Sequence, residues 1–283
     1  MITMKDVNVT YPGFQLDCSM VVKKGQIVGM VGENGAGKTT LFKVLLGLIP
    51  IKTGEITVQG NKHQTFLENE KDTLGVVLSD SFFNSLFTVE QIAKLLESLY
   101  AEFEIDYFWN LCEQLNIPKG KPLKKFSTGM LAKIKIAAAM SHKASFLILD
   151  EPTSGLDVRS RYKILALLQL YMDRFPETSI LISSHISDDL EHLCDEMYFL
   201  KEGAVLLHEE TDILIDHYAL IKGSEKQLVG LPLQFQLFQR KSNYGVEVLT
   251  NQKAFLEENF LDLVVEKVTI DQLLLMMSEG ERL

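Results

Sequence analysis

Alternation of apolar and polar positions dominates the first thirty residues. Lys5–Thr10 and Phe14–Val22 read as period-two strands on either side of a Tyr11-Pro12-Gly13 turn, and the apolar run Ile27–Val31 reads as one buried strand. The periodicity then changes. A glycine-rich turn, Gly32–Gly37, opens a helical pattern over Thr39–Leu48 that Pro50 ends. Glu55–Gln59 and Leu74–Leu78 read as strands around a polar loop. From Val89 to Met140 apolar residues recur at helical spacing in Ile92–Leu99, Phe108–Leu115 and Leu131–Met140.

Strand–helix alternation returns with Phe146–Leu149 (strand), Arg159–Phe175 (helix), Ser179–Ser183 (strand) and Ser187–Cys194 (helix). Met197–Leu200 and Ala204–Leu207 read as a hairpin turning at Glu202-Gly203. The pattern predicts an α/β fold: a parallel sheet with helices on its faces, joined to an antiparallel β subdomain and interrupted by a helical subdomain at about 82–143. After residues 1–211 the character changes. Short strands at Ala219–Lys222, Val246–Leu249 and Val264–Val268, with a helix at Ile270–Met277, predict a small α+β C-terminal accessory domain over 212–283. No internal repeat and no low-complexity tract occurs.

The length of 283 residues suits about two domains, and 46% hydrophobic with 23% charged residues excludes a largely disordered chain. Lys and Arg number 28 against 38 Asp and Glu, a net charge of −10, so no nucleic-acid partner is expected. The longest apolar runs, Val44–Ile51 and Ile164–Met172, fall short of the roughly 18–20 residues that cross a bilayer. The start, Met-Ile-Thr-Met-Lys-Asp, has no basic stretch followed by an apolar one, so a cytoplasmic location is expected. Cys18, Cys112 and Cys194 are too sparse for a disulfide framework or a zinc site and read as buried reduced thiols.

The chemistry starts at Gly32-Glu33-Asn34-Gly35-Ala36-Gly37-Lys38-Thr39, which matches the phosphate-loop pattern G-x-x-x-x-G-K-[ST] at every fixed position. Such a loop curls so that several backbone N–H groups converge on a phosphate, and the helix behind it adds its positive dipole end. Lys38 would reach the β/γ-phosphates and Thr39 would ligate Mg²⁺. The apolar strand Phe146–Leu149 ends in Asp150-Glu151, where ligands collect in an open parallel sheet. Asp150 reads as the second Mg²⁺ ligand, and Glu151 as the group that polarises the attacking water. His185 closes Ile180–Ser184 at the same edge, placed to donate to the γ-phosphate; His63, His142, His192, His208 and His217 read as surface residues.

These motifs together resemble the ATP-binding subunits of ABC transporters. Phe126-Ser127-Thr128-Gly129-Met130, at a helix start before Asp150, stands where that family keeps its Leu-Ser-Gly-Gly-Gln signature, and Pro152–Asp157 looks like its D-loop segment. Tyr11 stands where the family stacks a ring on adenine. The likeness covers roughly residues 1–207. It implies a P-loop NTPase (ABC ATPase) core with ATP and Mg²⁺ as cofactors. Gly32, Asn34, Gly35, Ala36, Gly37, Lys38, Thr39 and Thr40 would hold the triphosphate. Ser127 and Gly129 of a second ATP-binding subunit, with Asp157 nearby, would cover it. Hydrolysis would then be the work of Lys38, Glu151 and His185.

The resemblance also implies a separate transmembrane permease and a peripheral place at the inner face of the membrane. Phe82, Phe83 and Phe87 read either as core or as the lining of a groove for the permease. The tail, through Tyr218–Ser224, Arg240-Lys241, Tyr244-Gly245 and Glu266–Thr269, looks like those of bacterial exporter ATPases of the YtrB and phenol-soluble-modulin type.

Two departures stand out. Thr128 and Met130 replace a glycine and the glutamine of the signature, and Ser79-Asp80 stand where the family has a Mg²⁺-touching glutamine. Asp80 reads either as a substitute oxygen ligand or as a solvated loop acid. A soluble ABC-type ATPase acting on ribosomes or DNA is the alternative reading. It fits less well, because only 88 residues separate Lys38 from Ser127, with no heptads for a coiled-coil insertion. A P-loop kinase or nucleotide sensor would leave Ser127, Asp157 and His185 without a role.

Overall fold

The computed structural model of the chain describes residues 1–80, 83–228, 230–242, 245–260 and 262–282. Phe82 and Tyr244, singled out above, lie outside these residues. The opening alternation becomes β1 (Ile2–Tyr11) and β2 (Phe14–Val22), paired antiparallel with Tyr11 opposite Phe14 at the turn. Their period-two pattern puts Val7, Val9, Leu16 and Cys18 on the buried face. β3 (Ile27–Val31) is buried along its whole length, as a strand covered on both faces must be.

α1 (Lys38–Leu45) is shorter than the expected Thr39–Leu48. Gly47 takes a left-handed φ of 68°, Gly47 N donates to Val44 O and Leu48 N to Lys43 O, so a glycine-capped turn ends the helix before Pro50 is reached. β4 (Thr53–Val58) pairs with β1, and β5 (Asn61–Lys62) with β4. The expected polar loop contains a further helix, α2 (His63–Asn69), held by one buried side chain, Phe66. A single apolar anchor leaves no period to read.

β6 (Leu74–Val77) precedes the helical region α3 (Val89–Leu99), α4 (Ile105–Gln114) and α5 (Thr128–Ala139). Thr88 and Gln91 form a reciprocal capping box at the start of α3. The alternation then resumes with β7 (Phe146–Asp150), α6 (Val158–Arg174), β8 (Ser179–Ser183), α7 (Ser187–Glu191), β9 (Glu196–Lys201) and β10 (Ala204–Glu210). Among the described residues ten strands form one sheet in the order β5-β4-β1-β2-β10-β9-β3-β8-β7-β6. The run from β9 to β6 is parallel, and β10 links it to the antiparallel ribbon through the pair Ala204–Asp17.

The tail holds α8 (Thr211–His217), β11 (Ala219–Gly223), α9 (Glu225–Leu228), β12 (Phe238–Ser242), β13 (Gly245–Thr250), α10 (Lys253–Asn259), β14 (Val264–Lys267), α11 (Ile270–Glu279) and β15 (Glu281–Arg282). Its antiparallel sheet runs β14-β11-β13-β12-β15. Ile221, Val248 and Leu256 build a small core there. On the other side, Leu273, Met276 and Met277 of α11 share one continuous cluster with Leu193 and Phe199 of the larger unit. The three thiols are buried and unpaired, and burial pushes those of Cys18 and Cys112 up to about 12. No helix of the described residues is long and apolar enough to cross a membrane.

Candidate functional site

β6, β7, β8 and β3 all deliver their carboxyl ends to one edge, where Lys38, Thr39, Asp150, Glu151 and His185 stand, while Tyr11, Ser127 and Asp157 lie on other elements. The phosphate loop leaves β3 and enters α1. Gly37 has φ 112°, and a Cβ on it would meet the Phe14 ring at 2.9 Å, so a side chain at this position is excluded twice over. Gly37 offers no side-chain cap, which leaves the first N–H groups of α1 turned toward the loop. From behind, Gly203 N donates to Ala36 O at 2.8 Å, so the β9–β10 hairpin props the loop.

Lys38 is only 7% exposed; its Nζ donates to Gly32 O at 2.5 Å and to Glu33 O at 3.2 Å. Burial holds its ammonium below the usual lysine range, against the opposing pull of Glu151 and Asp150. Asn34 and Gly35 are exposed on the loop and Thr40 is half-buried on α1. Tyr11, exposed at the tip of the first ribbon, stacks on Phe14, and Phe14 in turn leans on Gly37.

Asp150 is the hub. It is 1% exposed and its two oxygens accept three hydroxyls: Thr39 Oγ1 at 2.8 Å and Ser79 Oγ at 3.0 Å on Oδ2, and Ser183 Oγ at 2.8 Å on Oδ1. A buried carboxylate needs such partners, since an unpaired one would be costly. Glu151 takes a left-handed φ of 51°, strained for a side chain of its size. Its N–H donates to Ser183 Oγ at 3.1 Å. This turn aims the Glu151 carboxylate across to the end of β8, where Oε2 accepts His185 N at 3.1 Å and touches His185 Nδ1. The His185 side chain is about half exposed, at 52%.

The loop after β6 is arranged differently from one of the two readings above. Asp80 pairs with Lys43 of α1 at 2.6 Å, and that hydrogen bond holds its carboxyl below the usual range. Ser79, not Asp80, is the residue that reaches Asp150. Lys135 of α5 donates to Leu78 O at 2.7 Å and pins this loop from the other side. His142 is likewise not a surface residue. It is buried, stacked on Tyr100 at 4.1 Å, with Nε2 at 3.0 Å from Leu74 O. Phe83 and Phe87 pack against the main core, and Phe83 also lines a small cavity with Tyr100 and His142.

Ser127 is exposed and caps α5, its Oγ accepting Met130 N at 3.3 Å. Gly129 packs closely on the D-loop segment of its own chain: a Cβ there would meet Gly155 O at 3.0 Å. Asp157 caps α6, accepting Ser160 N and Ser160 Oγ, each at 2.8 Å; these bonds hold its carboxyl below the usual range. A cleft of about 530 Å³ brings the motifs together, lined by Asn34, Ser79, Asp150, Glu151, Thr128 and His185. Ser183 was missed in the sequence, and Ser79 was noted there at the glutamine's place without a contact of its own. The usable signal for Ser183 was register, since it lies directly opposite Asp150 on the neighbouring strand.

Comparison with known proteins agrees with this geometry. The family model for "ABC transporter" matches residues 16–154. The ABC transporter ATP-binding protein YtrB of Bacillus subtilis is 28% identical over 87% of this chain and 84% of its own length. The bacitracin transport ATP-binding protein BcrA of Bacillus licheniformis is 35% identical over 76% of this chain and 67% of its own. Against some other relatives the chain spans less, down to 61% of their length. A solved ATP-binding subunit of an ABC transporter superposes with a TM-score of 0.67 at 26% identity, covering 76% of this chain and 91% of that one. The phosphate loop, the two acids that end β7 and the capped tip of α5 thus stand on the fold they require, and the chain belongs to the ABC transporter family as an ATP-binding subunit with an ABC ATPase domain.

Proposed function

We propose that this chain hydrolyses ATP to drive export through a separate transmembrane permease, at the inner face of the membrane, by closing on a second ATP-binding subunit. The observation that carries the reading is the meeting of Glu151 and His185 beside Asp150, in a cleft lined by Asn34 of the phosphate loop on one side and Thr128 at the tip of α5 on the other.

In this reading Lys38 and the amides of Gly35–Thr39 hold the β- and γ-phosphates, and Tyr11 stacks on the base. The oxygen donors Thr39 and Asp150, with Ser79 alongside, suit Mg²⁺, which prefers hard oxygens and keeps several waters. Bound there, Mg²⁺ supplies positive charge against the phosphate oxygens. Glu151 orients the attacking water in line with the γ-phosphate and accepts its proton as the new P–O bond forms and the bond to ADP breaks. His185, tied to Glu151, donates to the γ-phosphate. The exposed Ser127 and the half-buried Gly129 of the second subunit complete the enclosure, and product release opens it.

Export is supported by the relative named for bacitracin transport and by a likeness to YtrB that extends over 87% of the chain, beyond residues 1–211. A permease is supported by the solved relative's description as one subunit of a transporter. Gentle detergent extraction of the tagged native chain, followed by mass spectrometry, should recover one membrane-spanning subunit in fixed ratio. Recovery with ribosomes or DNA, and none from membranes, overturns the reading.

A further inference from the structure

Helix α11 of the tail spans ten residues, about 15 Å of axis, and touches the nucleotide machinery at both ends. At its start, Asp271 Oδ1 accepts the hydroxyl of Ser187. Ser187 opens α7 and lies two residues beyond His185. At its finish, Lys201 Nζ donates to Ser278 O at 2.9 Å and to Met277 O at 3.3 Å. Lys201 ends β9, directly before the hairpin that holds Ala36 of the phosphate loop. Along the helix Ile270, Leu273, Met276 and Met277 are buried, and this apolar face docks it on the larger unit.

α7 is held from its other side as well. Asp189, fully buried, accepts Thr153 Oγ1 at 2.9 Å and pairs with Arg161 at 2.8 Å, which ties α7 to the segment after Glu151. His185 itself is half exposed and lies in the short link, residues 184–188, between β8 and Asp189 of α7. Its place on Glu151 therefore depends on how the start of α7 is fixed, and Ser187–Asp271 is the tie by which the tail reaches that start.

We propose that Asp271 is a positioning residue for His185, and that the tail thereby sets the rate of ATP hydrolysis. This rests on the role given to His185 above. The tail holds the turn after β8 so that the imidazole stays on Glu151, and loss of the tie lets the turn drift without changing the phosphate loop.

Steady-state phosphate release with Mg-ATP, run on full-length variants, tests this. Asp271→Ala and Ser187→Ala should each lower kcat about five- to ten-fold, the effect of losing one part-buried hydrogen bond, with KM and calorimetric ATP affinity within about two-fold of the parent. Asp271→Asn, whose amide oxygen still accepts the Ser187 hydroxyl, should recover kcat to within about two-fold. Combined with His185→Ala, the Asp271→Ala change should cost nothing further, because both act through one group. If Asp271→Ala fails to fold, Ser187→Ala carries the same test from the donor side. Parental kcat in both alanine variants, in a chain that His185→Ala inactivates, overturns the tie alone. Parental turnover in His185→Ala overturns the role of His185 instead. A loss in Asp271→Ala that Asp271→Asn does not restore, with a lowered Tm, assigns Asp271 to stability and also ends the proposal.

Discussion

Ser79 Oγ donates to Asp150 Oδ2 at 3.0 Å, on the same oxygen that Thr39 Oγ1 reaches at 2.8 Å. The loop after β6 therefore delivers a hydroxyl to the buried acid, while its own carboxylate, Asp80, is turned away onto Lys43. Ser79→Ala should raise the Mg²⁺ concentration for half-maximal phosphate release about ten-fold, the usual scale for losing a partner of a ligating carboxylate. Asp80→Asn should shift it less than about two-fold, since Asp80 is exposed and its partner is a surface lysine. A Mg²⁺ titration in which the larger effect falls on Asp80→Asn reverses this assignment.

Glu151→Gln keeps the size of the side chain and the oxygen that accepts His185 N, and removes the base. Hydrolysis should fall about 100-fold or more. ATP should then hold two copies together, seen as a shift to dimer mass in light scattering. A variant that stays monomeric with ATP and turns over at the parent rate contradicts the role given to Glu151.

Lys38→Ala removes the one cation the loop encloses. ATP affinity by isothermal calorimetry should weaken on the order of 100-fold, as expected when a charge-assisted contact to phosphate is lost. Unchanged affinity would mean that the loop amides alone grip the triphosphate.

Glu196, at the start of β9, is only 3% exposed and pairs with Lys23 at 2.7 Å, His208 at 2.8 Å and Gln26 at 3.1 Å. Burial alone would raise its pKa, but the bonds from Lys23, His208 and Gln26, with the charge of Lys23, outweigh it and leave the folded-state value below the ordinary 4.5. The ionised form is therefore the stabilising one. Its contribution is present above the unfolded value and is lost as pH falls through the folded one. Glu196→Gln should destabilise by about 1–3 kcal/mol at pH 7, and the gap should narrow below about pH 4. Urea midpoints at the two pH values measure it, and an equal gap at both refutes the linkage.

The local chemistry of this protein is written along the chain. Period-two alternation announced β1 and β2, the uniformly apolar runs announced β3, β7 and β8, and the spacing from Gly32 to Thr39 specified a loop that its own backbone must curl. Each of these depends on neighbours a few residues apart, so sequence alone determines them. α2 escaped because one buried phenylalanine has no period, and β12, Phe238–Ser242, because a polar run carries no alternation.

What only the tertiary structure decided is which residues meet across strands. Ser183 faces Asp150 through the register of β7 and β8, Ser79 rather than Asp80 turns inward because Lys43 lies within reach of the acid, and His142 is buried beneath Tyr100. The tie between Ser187 and Asp271 joins residues 84 positions apart. Contacts of that kind are set by how strands and helices stack, and a pattern read over a few residues holds no record of that stacking.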